Sequence, residues 1–161
     1  MCSSDLPGVS VGAALALKGS GRLPIAICGD GDFLMGVTAV WTAVHYKIPL
    51  LFVLANNRSF YNDELHQERM ARARNRPIEN KWIGQRMSDP EVDLAAMGRA
   101  QGAVGFGPVT KPDDLAGVLE KAIAAVDAGK VEVVDVRVEP GYTAAMTAAM
   151  KIGRASCRER V

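Results

Sequence analysis

Residues 23–31 read LPIAICGDG, and residues 50–57 read LLFVLANN. Each is a short, unbroken apolar run that ends in glycine or polar residues, a pattern typical of strands buried on both faces of a parallel sheet. VEVVDVRV at 131–138 has the same character, and AVGFGPV at 103–109 is a weaker fourth run. The runs therefore predict a parallel sheet, with its main strands at 24–28, 51–55 and 131–137.

Helical patterns separate these runs. One helix face is predicted by apolar residues at i, i+3, i+4, i+7 and i+11, which are Val37, Val40, Trp41, Val44 and Ile48. Pro112 and Gly129 mark the start and end of a second helix, and residues 94–101 indicate a third. Residues 9–18 are apolar nearly all round, which predicts a helix buried on more than one side. The alternation predicts a single-domain α/β fold, with a doubly wound, mainly parallel sheet and helices on both faces.

Charge and composition exclude several classes of function. The net charge of the sequence is +1, which gives no reason to expect a nucleic-acid or anionic-membrane partner. No apolar run approaches the ~20 residues that a membrane-spanning helix needs. Residues 1–8 also lack the build of a signal peptide.

The two ends of the chain differ from its middle. Residues 1–6, MCSSDL, and residues 151–161, KIGRASCRERV, resemble translated sequencing-adapter read-through, the alternative being ordinary polar tails. Without them the net charge is −1 and Cys28 is the one remaining cysteine, which fits a reducing, cytoplasmic setting. The domain is assigned to residues 7–150, and both tails are expected to pack little against it.

Two polar turns follow two of the predicted strands. Gly29-Asp30-Gly31 closes the first strand, and Asn56-Asn57 closes the second. In an open parallel sheet, ligands bind in the crevice beyond the carboxyl ends of the strands. Both turns are therefore expected to face one crevice.

The residue types in these turns suit a magnesium ion held against a phosphate. Mg²⁺ takes six oxygen ligands and usually only a few from protein. The Asp30 carboxylate, the Asn57 amide oxygen and the Ser59 backbone carbonyl would supply three, with two phosphate oxygens and a water completing the shell. The glycines would let the backbone approach that phosphate closely. A helix opening near Phe33 or Gly36 would point its free N–H groups at the same anion.

Two other kinds of binding site also contain a glycine-rich turn, and the residues at fixed positions after Asp30 exclude both. A dinucleotide-binding fingerprint needs a glycine where Leu34 stands. A calcium loop that begins at Asp30 needs an oxygen ligand at Leu34 and a glutamate where Trp41 stands.

The stretch at 29–57, GDGDFLMGVTAVWTAVHYKIPLLFVLANN, combines GDG, a helix, a strand and Asn-Asn, with 27 positions from Asp30 to Asn57. It resembles the cofactor motif of the thiamine-diphosphate-dependent enzymes. The similarity extends over about residues 7–141 and is closest to the branch of acetolactate synthase and benzoylformate decarboxylase. It implies an enzyme that decarboxylates or carboligates small 2-oxo acids, in which the cofactor acts as a thiazolium ylid.

The resemblance also implies roles for individual residues. The residues expected to bind thiamine diphosphate are Gly29, Asp30, Gly31, Asp32, Phe33 and Asn57. The residues expected to bind Mg²⁺ are Asp30, Asn57 and Ser59. No catalytic residue is assigned in this chain, because the family's activating carboxylate comes from a different, pyrimidine-binding domain.

That second domain usually belongs to another subunit, so the resemblance implies a homodimer or homotetramer. The chain is expected to be a fragment of a longer polypeptide and inactive alone, with an exposed apolar patch that promotes self-association. After Asn57, residues 58–77 depart from acetolactate synthase, which leaves the substrate unassigned.

Two alternatives to this function stay open. The chain could be a cofactor-binding-type domain kept as a non-catalytic interaction module, although the retention of Asp30 and Asn57 disfavours this. It could also belong to a thiamine-diphosphate-dependent oxidoreductase, although the body lacks the cysteines of an iron–sulfur cluster.

The remaining candidate residues are interpreted as structural. Cys28 is expected to be a small buried strand residue, Trp41 a core residue, and His45 a residue at the edge of the core. The polar stretch 58–92 is predicted to be a long loop that contains a solvated helix and could act as a lid. His66 is expected on the solvated face of that helix.

Overall fold

The computed structural model describes residues 5–141. Its strands are β1 (Ile25–Gly29), β2 (Leu50–Asn56), β3 (Val104–Val109) and β4 (Val131–Arg137). Its helices are α1 (Leu6–Leu17), α2 (Asp30–Gly36), α3 (Thr38–His45), α4 (Tyr61–Ala73), α5 (Leu94–Ala100) and α6 (Pro112–Asp127). Most residues assigned to the two tails lie outside the described range. Of the two that lie inside it, Leu6 begins α1 and packs against the core.

The four strands form one parallel sheet in the order β1-β2-β4-β3. Leu51 in β2 is the register partner of Ile25 in β1 and of Glu132 in β4. Each of the predicted strands is present. The weaker run at 103–109 also forms a strand, β3, at the edge of the sheet.

Helices lie on both faces of this sheet, but Ile25 and Ile27, on one face of the edge strand β1, are exposed. Successive strand residues point to opposite faces, so Phe52 and Val133 lie in one layer of the core, under α1, α2, α3 and α5. Leu51 and Val134 lie in the other layer, against α6. Complete burial of each such side chain stabilises the fold by roughly 1.5–3 kcal/mol. The predicted α/β fold with a doubly wound parallel sheet is confirmed.

The segment after β1 differs from the prediction. Gly29 is extended and serves as the N-cap, and helix α2 begins at Asp30 rather than near Phe33 or Gly36. Acidic residues in the first turn favour this early start because they interact well with the positive end of the helix. The glycine-rich segment is therefore the strand's last residue and the helix's first turn.

The prediction that the first strand is buried on both faces is wrong for β1, and two further predictions of burial are also wrong. Trp41 is 53% exposed, because α3 turns Val40 and Ala43 toward the core, and the Trp41 ring stacks instead on His45. Helix α1 is buried on one side only, through Pro7, Val11 and Ala14. Among the described residues, nothing covers the other side of α1, which leaves two large apolar side chains exposed, Val9 and Leu15.

The polar stretch 58–92 is a long loop that contains one helix, as predicted, and its action as a lid stays a prediction. It contains α4, on which His66 is exposed, and the rest of the stretch forms no further helix or strand in the described chain. No helix among residues 5–141 is long and apolar enough to cross a membrane.

Candidate functional site

Strands β1 and β2 end side by side at the carboxyl edge of the sheet. Gly29, the last residue of β1, is the register partner of Ala55 in β2. Asp30 and Asn56 are the next residues of their segments. The parallel pairing therefore brings the two polar turns together, as the sequence predicts.

The backbone N–H of Ser59 joins the two turns. It donates to Oδ2 of Asp30 at 3.1 Å and to Oδ1 of Asn57 at 2.9 Å. The carboxylate and amide oxygens predicted as metal ligands thus both lie about 3 Å from one nitrogen. The structure brings Asp30, Asn57 and Ser59 into direct contact.

Asp30 is a buried carboxylate, with only 3% of the residue exposed. Its Oδ1 accepts the N–H of Gly31 at 2.8 Å. Burial raises the pKa of Asp30, and backbone N–H groups of Gly31, Ser59 and Arg58 act against that rise. A desolvated carboxylate of this kind gains stability from a nearby cation.

Asn56 fixes the end of β2. Its Nδ2 donates to Oδ1 of Asp135 in β4 at 2.9 Å, and its Oδ1 accepts the N–H of Arg58 at 3.1 Å. Arg58 has a φ of 61°, in the left-handed region. Asp135 is not among the residues predicted from the sequence, although an acidic residue within a buried apolar strand is a signal for a buried polar contact.

Part of the polar network behind the site lacks partners. Among the described residues, Oδ2 of Asp135 and Nη1 of Arg137 are buried without a hydrogen-bond partner. Burial raises the pKa of Asp135, while the hydrogen bond from Asn56 and the charge of Arg137 lower it. Asp135 is thus held in place mainly by Asn56.

Position 31 has no room for a side chain because the Phe60 ring packs directly against it. A methyl group at position 31 would lie 2.3–2.8 Å from the Phe60 ring, well inside contact distance. The pairing of the Phe60 N–H with the carbonyl of Gln85 at 3.0 Å helps to hold that residue in place. The ring thus fills the side of Gly31 on which a side chain would stand, and the close approach of the Gly31 backbone to a phosphate stays a prediction.

The segment that precedes α5 covers the rest of the edge. Met87, Val92 and Leu94 face Asp30 and Asn56 across a cavity of about 10 Å³. A cavity of this size holds at most one water molecule. Admission of a larger group on this side requires that the segment move.

The other predicted cofactor residues have mixed environments. Phe33 points its ring into the core, where it packs edge-on against Phe52 at 5.8 Å between ring centroids. Asp32 is half-buried, with its Oδ2 3.3 Å from the position that a Cβ on Gly29 would occupy. The side chain of Phe33 is thus part of the core.

Cys28 lies in β1 just before these residues and is fully buried. Burial, with a smaller contribution from the charge of Asp32, raises the pKa of the Cys28 thiol to about 11. A thiol of this kind is unreactive near neutral pH. The structure supports the interpretation of Cys28 as a packing residue.

The described residues contain no group of three His, Cys, Asp or Glu side chains able to hold a metal. A metal at this edge would need amide, carbonyl and ligand oxygens in addition to the Asp30 carboxylate. That donor set suits Mg²⁺, which is usually bound by one or two carboxylates together with phosphates and water.

Comparison with protein families identifies the domain. The family model described as "Thiamine pyrophosphate enzyme, C-terminal TPP binding domain" matches residues 6–136. The chain belongs to this family. The match covers Asp30, Asn57, Ser59 and all four strands except the last residue of β4, and it agrees with the resemblance carried by GDG and Asn-Asn.

Named relatives in the thiamine pyrophosphate enzyme family are much longer than this chain. YdaP of Bacillus subtilis strain 168 is 33% identical over 118 residues, which are 73% of this chain and 18% of YdaP. Benzoylformate decarboxylase of Pseudomonas aeruginosa is 29% identical over 139 residues, which are 81% of this chain and 22% of that enzyme. The chain thus spans about a fifth of each relative.

Solved structures of thiamine pyrophosphate enzymes share the fold. The 4-hydroxybenzoylformate decarboxylase of Rhodococcus jostii RHA1 superposes with a TM-score of 0.65 and 22% identity, over 87% of this chain and 23% of that chain. Benzoylformate decarboxylase of Polynucleobacter necessarius gives a TM-score of 0.64 and 24% identity, over 85% and 24% of the two chains.

Proposed function

We propose that this chain binds the diphosphate end of thiamine diphosphate through Mg²⁺, as one domain of an enzyme that acts on 2-oxo acids. The observation that carries the proposal is the convergence of the Asp30 and Asn57 oxygens on the Ser59 N–H. A carboxylate and an amide oxygen held this close would supply two of the six ligands of an octahedral Mg²⁺ ion. The backbone carbonyl of Ser59 would be the third ligand from the chain.

The chain's own contribution is to bind and orient the cofactor. When bound, thiamine diphosphate supplies the carbanion-stabilising chemistry of 2-oxo-acid decarboxylation. Asp30 and Asn57 would hold the metal, and the backbone at Gly31, Asp32 and Phe33 would approach the diphosphate. Because the Phe60 ring and Met87 lie beside the site, we expect these two side chains to move aside when the cofactor binds, while Ser59 keeps its contacts.

The reaction we propose is decarboxylation, or carboligation, of a small 2-oxo acid. The support is the relationship to a benzoylformate decarboxylase, together with membership of the thiamine pyrophosphate enzyme family. Retention of both Asp30 and Asn57 argues against a non-catalytic interaction module, which would have no need of a metal site.

We also propose that a second domain, from another subunit of a homodimer or homotetramer, holds the pyrimidine end of the cofactor and supplies the activating carboxylate. The exposed apolar side of α1, which carries Val9 and Leu15, supports a partner surface. The length of the relatives leaves room for such a domain.

The test measures whether thiamine diphosphate binds to the 161-residue chain in the presence of Mg²⁺. Binding is monitored through the NMR chemical shifts of the Asn57 and Ser59 amides. We expect binding that requires Mg²⁺ and that weakens at least about tenfold in Asp30→Asn, which keeps the side-chain shape but removes the charge. Asp113→Asn, an exposed change in α6, is the matched control and should bind as the unmodified chain does. Equal affinities in the Asp30 and Asp113 variants would contradict the proposal.

A further inference from the structure

Helix α4 buries a charged residue where a surface helix normally buries apolar ones. Glu64, in its first turn, is only 3% exposed and is the buried residue of that helix. A buried carboxylate is unfavourable unless hydrogen bonds or opposite charges compensate for its lost hydration. The contacts of Glu64 therefore indicate what holds α4 against the domain.

Those contacts lead to the candidate metal site. Oε1 of Glu64 accepts a 2.5 Å hydrogen bond from the Oγ hydroxyl of Ser59, which is itself buried. The same oxygen lies 3.4 Å from Nε of Arg86. Arg86 also forms an isolated antiparallel bridge with Ser59. Glu64 thus connects α4 both to Ser59 and to the segment paired with it.

Ser59 is held both through its backbone N–H and through its side chain. Its N–H is bound to the Asp30 and Asn57 side chains, and its hydroxyl is bound to Glu64. The Ser59 carbonyl lies in the next peptide plane, whose N–H, that of Phe60, donates to the Gln85 carbonyl at 3.0 Å. Contacts on both sides of Ser59 thus limit the rotations that set the direction of its carbonyl. A ligand that contributes only a backbone oxygen depends entirely on such supports.

We propose that Glu64 is a positioning residue of the metal site, which holds Ser59 so that its carbonyl is aligned with the oxygens of Asp30 and Asn57. The inference rests on the proposed function, since it takes the Ser59 carbonyl as a metal ligand. Groups that orient a metal ligand in this way typically change metal affinity by about 10–100-fold when removed.

The test compares Glu64→Ala and Glu64→Gln in the 161-residue chain with Glu68→Ala. Glu68 lies one turn further along α4 and pairs with Arg72 and Lys81, away from the site, so it controls for loss of an acidic residue from the same helix. One readout is hydrogen exchange at the Ser59 amide in the chain without ligand. The other is the Mg²⁺ concentration at half-saturation, measured by NMR at a fixed concentration of thiamine diphosphate.

We expect Glu64→Ala to speed exchange at Ser59 and to raise the Mg²⁺ midpoint at least about tenfold. Glu64→Gln keeps an acceptor for the Ser59 hydroxyl and should stay within about threefold of the unmodified chain. Glu68→Ala should leave both readouts unchanged. A lower melting temperature alone does not move the midpoint of the folded molecules, so this readout separates positioning from general stability.

Two results would overturn the inference in different ways. If Glu64→Ala leaves Ser59 exchange or the Mg²⁺ midpoint unchanged while the unmodified chain binds, the positioning role is wrong and the proposed function stands. If the unmodified chain shows no Mg²⁺-dependent binding, the proposed function fails first, and the role of Glu64 fails with it.

Discussion

The side-chain amide of Asn56 donates a 2.9 Å hydrogen bond to the carboxylate of Asp135, 79 positions later in the chain. The bond ties the carboxyl ends of β2 and β4 together beneath the candidate site. The other oxygen of Asp135 already lacks a partner among the described residues. Loss of the Asn56 amide would therefore leave a buried carboxylate with its main support gone.

We predict that Asn56→Ala lowers the free energy of unfolding by about 1–3 kcal/mol, the usual penalty for an unsatisfied buried polar group. Urea unfolding at neutral pH measures it. Asn62→Ala, an exposed change on α4, should stay within about 0.5 kcal/mol. If the two variants are equally stable, the hydrogen bond between β2 and β4 contributes nothing.

A second prediction concerns the contact between Gly31 and Phe60. Gly31→Ala should destabilise the chain by about 1–3 kcal/mol, because the new methyl group overlaps the Phe60 ring. Adding Phe60→Ala should remove part of that penalty, so the two changes will not be additive in a double-mutant cycle. Gly12→Ala is the control, since a methyl group there meets no atom within 4 Å and favours helix α1.

A third prediction concerns pH. Glu132 is fully buried in β4, neither of its carboxylate oxygens has a partner in the described chain, and burial raises its pKa from 4.5 to about 7. The folded chain therefore holds this proton more tightly than the unfolded chain. Its contribution to stability is present below pH 4.5 and is lost as the pH rises from 4.5 to about 7.

Thermal unfolding of Glu132→Gln at pH 5 and pH 8 tests this dependence. The variant should lose less stability than the unmodified chain over that interval, because its amide does not titrate. Glu120→Gln, an exposed change in α6, should follow the unmodified chain. Parallel pH profiles for all three proteins would show that Glu132 is not the group responsible.

The fourth prediction concerns the uncovered side of α1. Leu15 is 55% exposed, and Leu15→Lys should reduce both the binding of a hydrophobic dye and self-association in sedimentation experiments. Its effect on stability should stay within about 0.5 kcal/mol. Val11→Lys places the same charge on the buried side and should destabilise strongly. Unchanged self-association in Leu15→Lys would mean that another surface is responsible.

The sheet and the meeting of the two polar turns could be predicted from the sequence because both depend on local patterns. Unbroken apolar runs mark strands buried on two faces, and parallel strands place their carboxyl ends at one edge. Asp30 and Asn57 each follow such a run directly. Their convergence therefore required only that β1 and β2 be neighbours.

Other features could not be predicted because they depend on what packs against each element. Helical periodicity places Trp41 on the same face of α3 as Val40 and Val44. It does not determine how much of that face the sheet and α1 bury. In the sequence, Glu64 is one of several charged residues in a polar helix. Only its contact with Ser59 in the structure distinguishes it from the others. The role of Asp135 depends on its hydrogen bond with Asn56, which is far away in the sequence.

The packing of Phe60 on Gly31 also constrains how the sequence can vary in evolution. A large residue at position 60 is compatible with glycine at position 31 and with little else. We therefore expect the two positions to covary in related proteins, with a side chain appearing at 31 only where 60 has become small. Because position 60 directly follows Ser59, this contact also ties the variation of the segment after β2 to the second glycine of the GDG turn.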